Sequence, residues 1–187
     1  MRAAARDLRG PLLLLALVPC LALVGPSHGA AQPVAFATDR PVKVVVVGGS
    51  VSAMPVGGYG HYLEHACANV ETANISKVAA GVDDLVQRMR AMVLRDPAVQ
   101  AATADRERWI LWQGGLNSIG TPELNVLQLA AAFAEAKRAG YSVMGVTLNP
   151  WGSEADKRFV GFEGIRRVRA TAHHNAFILG TATPAAG

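Results

Sequence analysis

Four consecutive valines followed by two glycines and a serine constrain this chain more than any other stretch. Residues 43–52 read KVVVVGGSVS. Branched Cβ atoms favour a strand, and an unbroken apolar run predicts a strand that is covered on both faces, as in a parallel sheet. The glycines permit a sharp turn, and a hydroxyl follows at once. This arrangement is typical of α/β proteins that present either a nucleophile or a backbone anion cradle at the carboxyl end of a sheet.

Residues 1–30 are predicted to be a signal peptide. Three arginines precede an apolar stretch of 14 residues at positions 11–24, and small residues follow it. Signal peptidase needs such small residues, so we expect cleavage near Ala30 or Ala31. An uncleaved anchor is the alternative, but 14 residues are short for a bilayer, which needs roughly 20. We therefore expect a secreted or periplasmic protein with no stable membrane anchor after cleavage.

The remaining chain is predicted to form one domain at 42–180, between a lead-in at 31–41 and a tail at 181–187. Of the 18 basic and 14 acidic residues of the chain, the leader holds three arginines and one aspartate. The rest therefore carries a net charge of +2, which does not argue for a nucleic-acid partner. The sequence does not indicate an oligomeric state.

Strand and helix patterns alternate along this domain. After the valine strand we predict helices at 61–68, 82–96, 121–140 and 162–179, strands at 70–75, 108–113 and 141–148, and a loop or frayed helix at 97–107. The buried face of the second helix is predicted to hold Leu85, Val86, Met89, Met92 and Val93, and that of the third Leu127, Ala130, Phe133 and Ala136. This alternation indicates a parallel sheet between two layers of helices.

Three of the loops that follow strands carry unusual chemistry: Gly48-Gly49-Ser50, Ala80-Gly81 and Gly114-Gly115-Leu116-Asn117-Ser118. In a parallel sheet such loops meet in one crevice at the carboxyl ends of the strands. A serine oxygen, a glycine N–H and an asparagine amide at one point would form a nucleophile and an oxyanion hole. Each such donor stabilises a tetrahedral intermediate by about 3 kcal/mol in favourable cases.

These motifs resemble those of the SGNH, or GDSL-type, hydrolases, which are esterases and deacetylases of flavodoxin-like α/β/α fold. Gly48-Gly49-Ser50 resembles the family's Gly-Asp-Ser, Gly115-Leu116-Asn117-Ser118 its Gly-x-Asn-Asp, and Asn149-Pro150-Trp151 its proline-bearing loop. The resemblance implies that Ser50 is the nucleophile and that Ser50 N–H, Gly81 N–H and Asn117 form the oxyanion hole. It further implies a small-molecule or glycan ester as substrate, with acyl or acetyl groups removed.

The sequence departs from this family at three places. Gly49 and Ser118 stand where the family has aspartates, and no Asp-x-x-His block follows the last helix. Since a serine hydroxyl attacks poorly without a base, we predict little turnover, as expected for a C-terminally truncated member. His173 and His174 are candidate bases, although two surface histidines on a terminal helix are the alternative.

Two other interpretations stay open. A non-catalytic module on the same fold could hold a glycan or acyl group in this crevice. A nucleotide-binding α/β domain is less favoured, because neither the Gly-x-Gly-x-x-Gly spacing nor a Walker lysine follows the valine strand. His61 and His65 share a helix face, but no third ligand accompanies them, so we predict no metal site and no cofactor.

Overall fold

The computed structural model describes residues 40–149 and 160–180. The predicted signal peptide, nearly all of the lead-in, Pro150 and Trp151 of the predicted proline-bearing loop, and the tail lie outside the described residues. The strands are β1 (Val42–Gly48), β2 (Val70–Asn74), β3 (Glu107–Gln113) and β4 (Ser142–Gly145). The helices are α1 (Tyr59–Ala66), α2 (Val82–Met89), α3 (Pro97–Ala102), α4 (Pro122–Arg138) and α5 (Gly161–Ile178). A π-helical turn, Arg90–Leu94, continues α2, and a 3₁₀ turn, Leu116–Ser118, follows β3.

The four described strands form one parallel sheet in the order β2-β1-β3-β4. Val45 of β1 pairs with Ala73 on one side and Ile110 on the other. β1 is therefore internal to the sheet, which explains why its sequence is apolar without alternation. The predicted α/β fold class is confirmed.

Helices cover both faces of the sheet, so the domain has three layers. On one face Val45, Val47, Ile110 and Trp112 belong to a core that also contains residues of α2 and α4. On the other face Val44, Val46 and Leu111 pack with residues that include Tyr59 and Leu63 of α1. The sidedness follows from the strand period of two.

The π-helical turn alters the buried face predicted for the second helix. Leu85, Val86, Met89 and Val93 are buried as predicted, but Met92 is 44 % exposed. A π-turn inserts an extra residue into the helical repeat, so residues beyond it rotate away from the face that precedes it. Asp96 then accepts hydrogen bonds from the N–H groups of Ala98 and Val99 and starts α3, where a loop or frayed helix was predicted.

The face predicted for α4 was partly wrong: Ala136 is buried and Phe133 packs against the core as predicted, but the face is rotated at its start. Leu127 is 49 % exposed, while Val126, Leu129 and Ala132 are buried together with Ala136. Both faces of α4 carry apolar residues, so the sequence pattern alone fits two rotations of the helix. Among the described residues, no helix is long and apolar enough to cross a bilayer.

Candidate functional site

The three loops predicted to meet are joined by hydrogen bonds at the carboxyl edge of the sheet. Gly49 N–H donates to the Gln113 carbonyl over 3.1 Å, which ties the β1 turn to the end of β3. Asn117 Nδ2 donates to the Ala80 carbonyl over 3.0 Å, which ties the β3 loop to the Ala80-Gly81 turn. The predicted convergence of the loops is therefore present in the structure.

Ser50 and Asn117 line the same small cleft. Both residues are exposed, and the cleft between them has a volume of about 20 Å³, room for about one water molecule. Among the described residues, neither the hydroxyl nor the N–H of Ser50 has a hydrogen-bond partner. The serine is thus presented at a turn, with its hydroxyl and its N–H both open to a ligand.

Gly81 lies beside this cleft, at the amino end of α2. A Cβ added to Gly81 would lie 3.2 Å from the Ser118 Cβ, so the turn and the β3 loop are in contact. The Ser118 hydroxyl accepts a hydrogen bond from Val82 N–H over 3.0 Å, whereas Gly81 N–H has no acceptor among the described residues. Ser118 therefore caps α2 and leaves the preceding N–H available, a role that sequence reasoning missed.

A buried polar group behind the cleft fixes the β1 turn. Ser52 is fully buried and its hydroxyl donates to Gln113 Oε1 over 2.9 Å. Asn74 at the end of β2 donates to the Ser52 carbonyl over 2.7 Å. Gln113, a polar residue at the end of an apolar strand, was the sequence signal for this contact. The network joins the ends of β1, β2 and β3, so the Ser50 turn stands on a rigid base.

The two adjacent histidines of α5 have different environments. His173 is exposed, whereas His174 is fully buried, which corrects the alternative that both are surface residues. A Cβ added to Gly115 would lie only 2.5 Å from His174 Cε1, so this ring packs directly against the β3 loop. Gly115 has a φ of +131°, a conformation that favours glycine, and glycine also leaves the space that the ring occupies.

His174 is held as a neutral imidazole. Burial lowers its pKa to about 4, an effect that the nearby Gly114 carbonyl opposes and the charge of His173 adds to. Neither ring nitrogen has a hydrogen-bond partner within the described residues. His174 is not among the residues that line the cleft; its ring packs against Gly115, which is one of them.

No acid–base group lines the cleft in the described part of the chain. Its walls are Gly49, Ser50, Val51, Gln113, Gly114, Gly115, Leu116, Asn117 and Leu148. The structure thus places Ser50 and Asn117 at one cleft and Gly81 against Ser118 of the same β3 loop, and neither candidate base lines the cleft. His61 and His65 lie with ring centroids 4.1 Å apart, but the described residues contain no group of three metal-ligating side chains.

Comparison with solved structures identifies the architecture. A lipolytic protein of the G-D-S-L family from Veillonella parvula has a TM-score of 0.52 at 16 % identity, over 76 % of this chain and 75 % of its own. The SGNH-hydrolase family esterase AlinE4 has a TM-score of 0.53 at 14 % identity, over 75 % of this chain and 73 % of its own. A lipase from a goat rumen metagenome has a TM-score of 0.52 at 10 % identity, with 77 % of each chain covered.

These likenesses confirm the predicted resemblance at the level of the fold. Neither a protein-family model nor a curated protein sequence matches the chain. The chain has the parallel sheet and flanking helices of SGNH-type hydrolases, and at these identities the comparison establishes the fold and not the activity.

Proposed function

We propose that this chain is an exported SGNH-type hydrolase that cleaves ester bonds, with Ser50 as its nucleophile. The observation that carries the proposal is the shared cleft of Ser50 and Asn117 on a fold of esterases and lipases. The substrates are acyl or acetyl esters of lipids or glycans. Attack of the serine oxygen on the ester carbonyl forms an acyl-serine and releases the alcohol, and water then releases the acid.

The oxyanion formed in this attack needs hydrogen-bond donors; two candidates lie at the cleft, and Gly81 N–H, beside Ser118 of the adjoining loop, is the third. Ser50 N–H and Gly81 N–H have no acceptor among the described residues. Asn117 Nδ2 uses one hydrogen for the Ala80 carbonyl and retains a second, and it lies 3.5 Å from where a Cβ on Gly49 would stand. Loss of one such donor lowers kcat by about 10²–10³-fold in serine hydrolases.

Proton transfer limits the rate in this proposal. The described walls of the cleft offer no carboxylate or imidazole to accept the Ser50 proton. Oxyanion stabilisation and binding alone retain about 10³–10⁴-fold over the reaction in water. We therefore expect slow acylation rather than the turnover of an enzyme with a complete triad.

The same observation favours a second candidate, a non-catalytic module that binds an acyl or glycan ester in this cleft. Such a module needs the donors of the cleft but no base. It differs from the hydrolase in one measurable respect, because it forms no covalent bond with the ester.

Acylation by p-nitrophenyl acetate separates the two candidates. The full chain is mixed with the ester, nitrophenol release is followed, and the acetylated residue is located by mass spectrometry. The hydrolase predicts acetyl on Ser50, loss of both signals in Ser50→Ala, and full activity in the control Ser142→Ala, an exposed serine of β4. Equal activity of Ser50→Ala and the unsubstituted chain rejects Ser50 as nucleophile, and reversible ester binding without acetylation selects the binding module.

A further inference from the structure

The first half of α5 extends beyond the edge of the sheet that carries the cleft. Ile178, near its end, lies beside Gly145 at the end of β4, where an added Cβ would be 2.9 Å from Ile178 Cγ2. Asn175 bonds to Leu148, three residues past that strand, and Ala170 packs with Ile119 in the loop before α4. Contacts thus move steadily away from the sheet toward the amino end of the helix. Phe162 lies about 18 Å along the helix axis from His174, at 1.5 Å per residue.

The solvent face of this projecting segment carries three large apolar side chains. Phe162 is 76 % exposed, Ile165 56 % and Val168 49 %. A helix on the surface of a globular protein normally places polar residues on its outer face, so three large apolar side chains in succession need an explanation. Their spacing of three residues puts them on one side of α5.

Arginines accompany these apolar residues. α5 contains three arginines and one glutamate, so the helix is basic. Arg166 and Arg169 are exposed, and they lie four residues after Phe162 and four residues after Ile165, on the same face. Glu163 lies 3.6 Å from Arg166 and offsets part of this charge, and Glu123 of α4 lines the groove beside them. A helix with a net positive charge and an exposed apolar face is typical of segments that lie on an anionic membrane surface.

We propose that the first half of α5 docks this protein on an anionic phospholipid surface, with Phe162 and Ile165 among the acyl chains and Arg166 and Arg169 on the lipid phosphates. Guanidinium groups suit this position because their planar fork binds phosphate oxygens in pairs. The charge complementarity selects a phospholipid surface over a second copy of this chain, whose α5 would be equally basic.

Docking there places the cleft at the lipid surface, a consequence that rests on the proposed hydrolase function. Leu116 and Leu148 line the cleft and pack in one apolar cluster with Ile119 and with Ala170 of α5. The cleft and the docking face thus lie on the same edge of the molecule, on either side of this cluster. A membrane-bound protein would meet esters carried by lipids before dissolved ones.

Vesicle sedimentation tests the proposal with the full chain. Binding to vesicles of phosphatidylglycerol and phosphatidylcholine should exceed binding to phosphatidylcholine alone and should weaken with salt. Arg166→Gln with Arg169→Gln should weaken binding by on the order of 10- to 30-fold. Glu163→Gln should strengthen it several-fold, because it removes the carboxylate that offsets the charge of Arg166. The controls Arg138→Gln at the end of α4 and Tyr62→Ser on α1 should bind like the unsubstituted chain.

A local probe separates α5 from the apolar leader, which every variant carries. Phe162→Trp introduces a fluorophore that brominated phospholipids should quench beyond the level of the unsubstituted chain, whereas Tyr62→Trp should show no added quenching. Ser50→Ala should dock unchanged, so docking and hydrolysis can fail separately. The proposal is overturned by absent quenching at position 162, by binding that ignores lipid charge, or by a dimer in solution that Phe162→Ser dissociates.

Discussion

His174 shows how one buried side chain shapes the candidate site. Its ring packs against Gly115 and has no hydrogen-bond partner among the described residues. A buried imidazole without partners is costly to protonate, because the charge cannot be solvated. His174 therefore supports the β3 loop as a neutral, space-filling group. Its contribution to the stability of the folded protein depends on pH.

The stability of the protein should fall as the pH drops from about 6.5 to about 4. The pKa of His174 is about 4 in the folded protein against 6.5 as the ordinary value, so only the unfolded chain binds this proton between those limits. The effect reaches about 3 kcal/mol at and below pH 4 and vanishes above pH 7. Urea unfolding across this range measures the free energy of unfolding at each pH relative to its value at pH 7. The unsubstituted chain should lose this free energy as the pH falls, and His174→Leu should retain it.

The exposed neighbour supplies the control for this pH dependence. His173→Gln should lose stability with falling pH in parallel with the unsubstituted chain. Parallel curves for His174→Leu as well would show that the buried ring is not the titrating group.

At the scale of elements, α5 holds the loop after β4 through one side chain. Asn175 Oδ1 accepts from Leu148 N–H over 2.7 Å, and Asn175 Nδ2 donates to the Leu148 carbonyl over 2.8 Å. An amide side chain here replaces the neighbouring strand that would otherwise pair with these groups. Since Leu148 lines the cleft, this pair links the position of α5 to the shape of the site.

Asn175→Ala should loosen this loop and destabilise the fold by about 2–3 kcal/mol, because both backbone groups of Leu148 lose their partner. The Leu148 amide should exchange much faster than the loss of global stability alone would explain. Asn175→Asp should also destabilise, since its carboxylate faces the Leu148 carbonyl. If Leu148 N–H stays protected in Asn175→Ala, another group satisfies it.

Much of this architecture follows from the sequence, and the exceptions have physical causes. Two apolar runs, the valines of β1 and Trp109–Trp112 of β3, predict buried strands without a competing pattern. The glycines after them mark where the loops begin. The rotation of α4 could not be predicted, because Leu127 and Val126 offer competing faces. Asn125 is buried, and its side chain donates a hydrogen bond to the Ser118 carbonyl. This contact joins two elements and cannot be predicted from the local sequence pattern.

Some residues of the candidate site could likewise be predicted from the sequence, and others could not. Ser50 and Asn117 belong to short motifs that can be recognised in the sequence. The hydrogen bond between Ser52 and Gln113 joins residues 61 positions apart, so no short motif contains it. The burial of His174 depends on the space left by Gly115. Sequence reasoning thus identifies which groups face the cleft and misses those that support it from behind.

At the scale of the molecule, the described residues cover the two faces of the sheet unequally. Among them, the face under α2 and α4 belongs to a core of fifteen buried residues, and the face under α1 to a cluster of four. α1 has eight residues and buries only Gly60, whereas α2 buries four residues and α4 five. A helix of this length is marginal by itself, so α1 depends on a thin set of contacts.

Native-state hydrogen exchange should therefore show α1 opening before the rest of the fold. We expect its amides to exchange through an opening roughly 2 kcal/mol or more below global unfolding, because Tyr59 and Leu63 are its main apolar contacts. Leu63→Ala should lower that local opening energy by about 1 kcal/mol and leave the exchange of α2 and α4 unchanged. Val86→Ala in α2 should instead lower global stability by about 2 kcal/mol. The two faces unfold as a single unit if the amides of α1 and α4 exchange with the same opening free energy and if Leu63→Ala and Val86→Ala lower it equally in both helices.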